Sequence, residues 1–264
     1  MTADTPAGGP PPTAIGKLYL VPSPLDFGCD SQADLQASMP LGTLRVAARL
    51  QYWIGENAKS TRAYLKRVNA VTPLDSAVQA LHIEELPREV HKKGDHTGNF
   101  DARPLLAPAL KGHDVGLVSE AGMPAVADPG SSVVRAAHEL AIEVIPLIGP
   151  VSLLLALAAS GLNGQNFAFA GYLPQDPAER GQRIRELESL ALKTGQTQLF
   201  IETPYRNAAM LQSLLQTLQP HTRLAVSSGL TLGRGVCCSD SIKNWQKRKS
   251  PLDNSTPAVF ALGR

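Results

Sequence analysis

Short apolar runs alternate along this chain with longer segments whose apolar positions recur at helical spacing. "KLYLVPSP" (17–24) reads as a strand ending in a proline-bounded turn, and "PLGTLRVAARLQ" as a helix with Pro40 in its first turn. "YWIGEN" is a second strand and "AKSTRAYLKRV" a second helix. "LHIEEL" is a third strand, "HKKGDHTGNF" an exposed loop, and "DARPLLAPALKG" a helix closed by Gly112. "DVGLVS" predicts a buried strand, "SSVVRAAHEL" a helix, "EVIPLI" a strand and "GPVSLLLALAAS" a helix. This succession implies a mostly parallel sheet covered by helices on both faces.

Beyond Phe167 the pattern changes. "FAFAGYLP", "TQLFIETP", "TRLAVSSGLT", "GRGVCCSD" and "TPAVFALG" read as strands. Only two helices, "DPAERGQRIRELESLALK" and "YRNAAMLQSLLQTLQ", lie among them. The expected organisation is a disordered tail over 1–16, an N-terminal α/β domain over 17–165, and a C-terminal α/β domain over 166–264 with a mixed sheet. No internal repeat is visible.

Composition narrows the classes. Lys plus Arg number 25 against 23 Asp plus Glu, so the chain as a whole is not a polyanion trap, although a local basic patch remains open. Lys243, Lys247, Arg248 and Lys249 in "IKNWQKRKS" have two readings, a solvated helix end or a nucleic-acid contact. The three cysteines, Cys29, Cys237 and Cys238, form no C-x-x-C pair, and the histidines show no H-x-x-x-H spacing. We therefore expect neither disulfide framework nor metal, and a reducing, cytoplasmic compartment. "VIPLIGPVSLLLALAASGL" (144–162) is uncharged and long enough to span a bilayer, but Pro146, Gly149 and Pro150 break it into strand, turn and buried helix. No membrane association is expected, and the first residues lack the pattern of a signal peptide.

"SEAGMPAVADPGSS" (119–132) is the segment richest in chemistry. Gly122 lets backbone approach a ligand, while Pro124 and Pro129 stiffen their neighbours. A loop at the carboxyl end of a parallel strand is where such sheets bind ligands. G-x-G-x-x-G, Walker A and G-x-S-x-G patterns are all missing, so dinucleotide, phosphate-loop and serine-hydrolase readings have no support.

"LVSEAGMPAVADPG" resembles the "VSDAGTPGISDPG" block of the ribosomal small-subunit methyltransferase I group. That group belongs to the tetrapyrrole-methylase superfamily of S-adenosylmethionine (SAM) enzymes. "KLYLVPSPLD" is similar to the family's first strand and turn, and "ENAKSTR" to a loosened E-D-T-R. "IGPVSLLLALAASGL", "FAFAGYLP" and "FIETPYRN" match further blocks in the same order, so the resemblance runs from Lys17 to about Asn207. It implies two α/β domains with SAM in the cleft between them, and a homodimer. It implies cofactor contacts at Leu25, Ala121, Gly122, Met123, Val126, Val151, Ser152 and Glu202.

Methyl transfer from a sulfonium is an in-line displacement. An acceptor hydroxyl gains from a nearby base. Candidate carboxylates are Glu56, Glu120, Asp128 and Glu202, Asp128 also fitting a turn role before Pro129. Arg62 and Arg206 are candidate phosphate ligands and Tyr205 a candidate stacking platform for an RNA substrate. The leading expectation is 2′-O-methylation of RNA ribose or a related nucleoside, with ribosomal RNA as partner. Methylation of a small tetrapyrrole-like molecule, or a SAM- or RNA-binding module without catalysis, are the alternatives.

Overall fold

The structure is a computed structural model describing residues 14–93, 95, 100–253 and 255–264. In chain order the elements begin β1 (Leu18–Val21), α1 (Leu35–Ser38), α2 (Leu41–Arg49), β2 (Tyr52–Gly55), α3 (Ala58–Val71) and β3 (His82–Glu85). They continue through α4 (Arg88–Lys93), α5 (Ala107–Leu110), β4 (Val115–Val118), α6 (Ser131–Glu139), β5 (Val144–Pro146) and α7 (Ser152–Ser160). The remainder are β6 (Phe167–Tyr172), α8 (Pro177–Thr194), β7 (Thr197–Glu202), α9 (Asn207–Thr217), β8 (Arg223–Ser228), β9 (Val236–Ser241), α10 (Ile242–Trp245) and β10 (Ala258–Gly263).

The chain forms two compact units. Of the described residues, one unit holds those from Ala14 to Pro22 together with those of Pro40–Ile148; the other holds Ser23–Met39 with those of Gly149–Arg264. The expected boundary near 164–166 thus lies one helix later than the observed division. The reason is α7. Its Leu153, Ala156 and Leu157 pack on Leu199, Ala225, Val259 and Ala261 of the second sheet.

The first unit carries a five-stranded sheet in the order β3-β2-β4-β1-β5, every pair parallel. Its core joins Leu18, Ile54 and Leu117 of the strands to Leu106 of the 3-10 turn before α5 and to Val133 and Ala137 of α6. Strand β4 reads Val-Gly-Leu-Val because Gly116 lies beside Trp53 of β2; a Cβ there would stand 2.8 Å from the indole ring.

The second unit carries a mixed sheet in the order β6-β7-β10-β8-β9, parallel only between β6 and β7. Phe200 and Phe260 stack across the β7–β10 pair at 5.4 Å between ring centroids. Helices α8 and α9 cover this face through Ile184, Leu187, Met210 and Leu214.

Three local expectations change. Ala14–Gly16, assigned to the tail, pack on the turn after α5: the Gly16 N–H donates to the Ala109 carbonyl at 2.8 Å. Residues 1–13, the rest of that tail, lie outside the described residues. The "DARPLLAPALKG" helix is a 3-10 turn (Arg103–Leu106) followed by the single turn of α5, since Pro104 and Pro108 remove two backbone donors. The "HKKGDHTGNF" loop begins inside α4, and its Asp95 is buried. Among the described residues, no helix is long and apolar enough to cross a membrane.

Candidate functional site

The site in the first unit is built at the carboxyl ends of β2, β3 and β4. Strand β4 delivers Ser119 and Glu120, then a bend that holds four residues in the left-handed region. These are Gly122 (φ 79°), Ala125 (φ 64°), Ala127 (φ 66°) and Gly130 (φ 137°). An alanine pays strain there, so the loop must be held from outside.

Asp95 does the holding. Its carboxylate accepts from the Gly130 N–H (2.8 Å), the Ser132 N–H (2.8 Å), Ser131 Oγ (2.6 Å) and Ser132 Oγ (2.6 Å). These bonds cap α6 at its positive end from a residue more than thirty positions upstream. Burial alone would raise the Asp95 pKa; the hydroxyl and amide donors outweigh it and hold the carboxyl at about 2. Gly130 is also confined by packing, since a Cβ would meet Leu117 at 3.1 Å and Ala125 N at 3.2 Å.

A second set of contacts ties the loop to α3. Asn57 caps that helix, its Oδ1 accepting from Lys59 N and Ser60 N. Glu56 Oε1 accepts from the Glu120 N–H at 3.1 Å, and Ser60 Oγ donates to Glu120 Oε1 at 3.1 Å. Glu85, at the end of β3, accepts from the Ala58 N–H at 2.6 Å. The first turn of α3 therefore collects carboxylates, as its dipole favours. Asp128 completes the group. Burial, then the charges of Glu56 and Glu120, push its carboxyl up to about 7.

This arrangement suits a ligand with a cationic centre and an apolar body. The carboxylates of Glu56 and Glu120 set a negative potential that deepens as Asp128 ionises, and Val126 presents an apolar side chain that is 41% exposed. Ala121 and Met123 are half-buried and Gly122 is buried, so the loop offers mainly backbone to a partner. A sulfonium cofactor fits this chemistry. Among the described residues, no His, Cys, Asp and Glu group is placed to hold a metal ion.

The remaining expected residues divide between the units. Arg62 lies on α3 in the first unit with its side chain exposed, making one long bond to the Ala58 carbonyl. In the second unit, Leu25 follows the end of β1 in a turn, and Val151 and Ser152 open α7. Glu202, at the end of β7, is fully buried: it pairs with Arg206 Nη2 at 3.0 Å and accepts from the Thr203 N–H at 2.8 Å. Arg206 is thereby engaged inside the fold, whereas Tyr205 is 72% exposed. Asp95 escaped sequence reasoning. Its sole signal was an acid preceding a Ser-Ser helix start that stands far away in the chain.

Residues 41–233 match the family described as tetrapyrrole (corrin/porphyrin) methylases, and the chain belongs to that family, whose methyl donor is SAM. Its relatives include ribosomal RNA small subunit methyltransferase I of Vibrio cholerae serotype O1, 28% identical over 83% of this chain and 67% of that protein. The enzyme of that name from Micromonospora olivasterospora is 32% identical over 77% of this chain and 56% of the relative. The chain spans about two-thirds or less of the length of the curated relatives it matches. Among solved structures, the methyltransferase CobJ aligns at TM-score 0.56 and 17% identity, covering 94% of each chain. Uroporphyrin-III-C-methyltransferase from Thermus thermophilus aligns at TM-score 0.50 and 20% identity, again over 94% of each. These two likenesses concern the fold: two α/β units, one parallel sheet and one mixed.

Proposed function

We propose that this protein is a SAM-dependent methyltransferase of RNA, acting on small-subunit ribosomal RNA at a ribose 2′-hydroxyl. The observation that carries this reading is the strained loop 121–130, clamped by Asp95, carrying Asp128 and flanked by Glu56 and Glu120. The names of the relatives supply the substrate class.

Bound SAM supplies an electrophilic methyl group on a positively charged sulfur. The chain must hold that charge, align the acceptor oxygen and take the acceptor's proton as the C–O bond forms and the C–S bond breaks. Ala121, Gly122 and Met123 bind through backbone, and Val126 covers an apolar surface. Glu120 is anchored by Ser60 and stands beside the loop, which suits it to accept the proton or to orient the hydroxyl. Glu56 positions Glu120 through its backbone N–H. Exposed Arg62 is available to a phosphate, and exposed Tyr205 to a base. By family resemblance Leu25, Val151 and Ser152 are proposed cofactor contacts, and Glu202 acts by fixing Arg206. A homodimer and a cytoplasmic location complete the proposal; sedimentation velocity reads the former.

The test is transfer of labelled methyl from SAM to small ribosomal subunits, followed by nuclease digestion and nucleoside analysis. A labelled 2′-O-methyl nucleoside is the expected product. Label on a base, or on a tetrapyrrole but never on RNA, contradicts the reading.

A further inference from the structure

Beyond the site loops, the second unit holds a feature that catalysis does not use. Helix α10 and the residues after it carry Lys243, Lys247, Arg248 and Lys249, and no acid occurs from Ser241 to Leu252. All four side chains are exposed, yet the segment is firmly seated. Ile242 and Trp245 are buried in the core, and the Trp245 indole N–H donates to the Leu224 carbonyl at 2.7 Å. Arg248 is fixed by Asp240 at 2.6 Å and lies 6.0 Å over the Trp245 ring. Arg223, in register with Ser241, is near enough for its charge to help lower the Asp240 pKa.

Next to these cations runs a groove of about 360 Å³ between α9 and the α10 segment. Leu211, Leu215 and Trp245 supply its apolar lining, and Gln212, Gln216, Arg248 and Ser250 its polar lining. Amide side chains both donate and accept, so they meet sugar and base edges without demanding one sequence. Lys247 and Lys249, the chain neighbours of the groove-lining Arg248, meet phosphates as point charges. A solvated helix end needs neither a buried tryptophan anchor nor an adjoining groove.

We infer that the groove between α9 and α10, with Lys243, Lys247 and Lys249, is a docking surface for the backbone of a single-stranded or looped RNA segment outside the methylated nucleotide. The inference rests on the reading that the acceptor is RNA, and it assigns affinity, not chemistry, to this surface. It also resolves the two readings of "IKNWQKRKS" in favour of the nucleic-acid contact.

The full chain is titrated by fluorescence anisotropy against a labelled single-stranded 20-mer RNA of mixed sequence, and against small ribosomal subunits, at several salt concentrations. The K243Q/K247Q/K249Q variant is compared with K111Q/R185Q/K193Q, which removes equal charge elsewhere. Loss of three phosphate contacts lowers the log–log salt slope by about 2 and the affinity by roughly tenfold or more at low salt. SAM affinity and melting temperature stay at wild-type values, and the KM for RNA rises while kcat holds. Equal losses in both variants, or no change in the first, overturn the docking surface and leave the methyltransferase reading standing. A wild type that binds neither RNA overturns the docking surface together with the RNA-acceptor reading, while SAM binding still tests the cofactor site.

Discussion

Asp95 accepts a 2.8 Å hydrogen bond from the backbone N–H of Gly130, the residue at which the loop after β4 turns into α6 at φ 137°. One buried carboxylate thus ends a strained loop and starts a helix. Asp95→Ala removes an N-cap and four charge-assisted bonds, and the expected loss is about 2–3 kcal/mol of stability. SAM affinity falls at least tenfold even at temperatures where the variant is fully folded. Asp95→Asn, which keeps one acceptor oxygen, recovers part of both. Chemical denaturation and calorimetry read the two effects separately.

The same carboxylate sets an acid limit. Its folded pKa of about 2 lies below the ordinary aspartate value of 3.8. The unfolded chain therefore binds the proton first, and the stabilisation present above pH 4 disappears as pH falls towards 2. Urea midpoints of wild type and Asp95→Asn should converge at the acid end.

Asp128 has the opposite sign. Its carboxyl is raised to about 7, so the folded state keeps a proton that the unfolded chain has released. Stability contributed by this group is highest near pH 4 and is lost as pH rises through 7. Asp128→Asn should stabilise the protein by about 2 kcal/mol at pH 8 and hardly at all at pH 4, half the fully buried value because the group is partly open to solvent. Deprotonation also deepens the negative potential. SAM affinity should rise by about tenfold between pH 6 and 8, while S-adenosylhomocysteine, which lacks the sulfonium charge, changes little. Asp128→Asn flattens the SAM curve; a wild-type curve already flat removes Asp128 from the cofactor's surroundings.

Glu202 and Arg206, four residues apart, form the most buried ion pair among the described residues. Glu202→Gln leaves the guanidinium without its charge partner in a closed setting and should lower stability by about 3 kcal/mol. The Glu202→Gln/Arg206→Gln double variant should lose less than the sum of the single losses, a coupling that a denaturation cycle measures.

The sheets were legible because their strands are short apolar runs with clear breaks, from "LYLV" to "AVFALG". The loop at 119–130 stood out because Gly, Pro and small residues cluster there. Helix α7 gave no hint of its sheet, since leucine and alanine lie on every side of it and either sheet would satisfy such a surface. Short α1 carries too few residues for a helical period to appear. Asp95 was hidden because a cap supplied from outside the helix leaves no local pattern, and the burial of Glu202 depends on a pairing that its neighbours "TPYRN" do not announce.

The central claim is that the loop ending at Gly130 holds SAM. Calorimetric titration of wild type and Gly122→Trp with SAM and with S-adenosylhomocysteine tests it most directly, with melting curves to establish that both proteins are folded. Micromolar binding by the wild type and none by a folded Gly122→Trp is the result expected. A folded wild type that binds neither ligand, or a Gly122→Trp variant that binds both as well as wild type does, contradicts it.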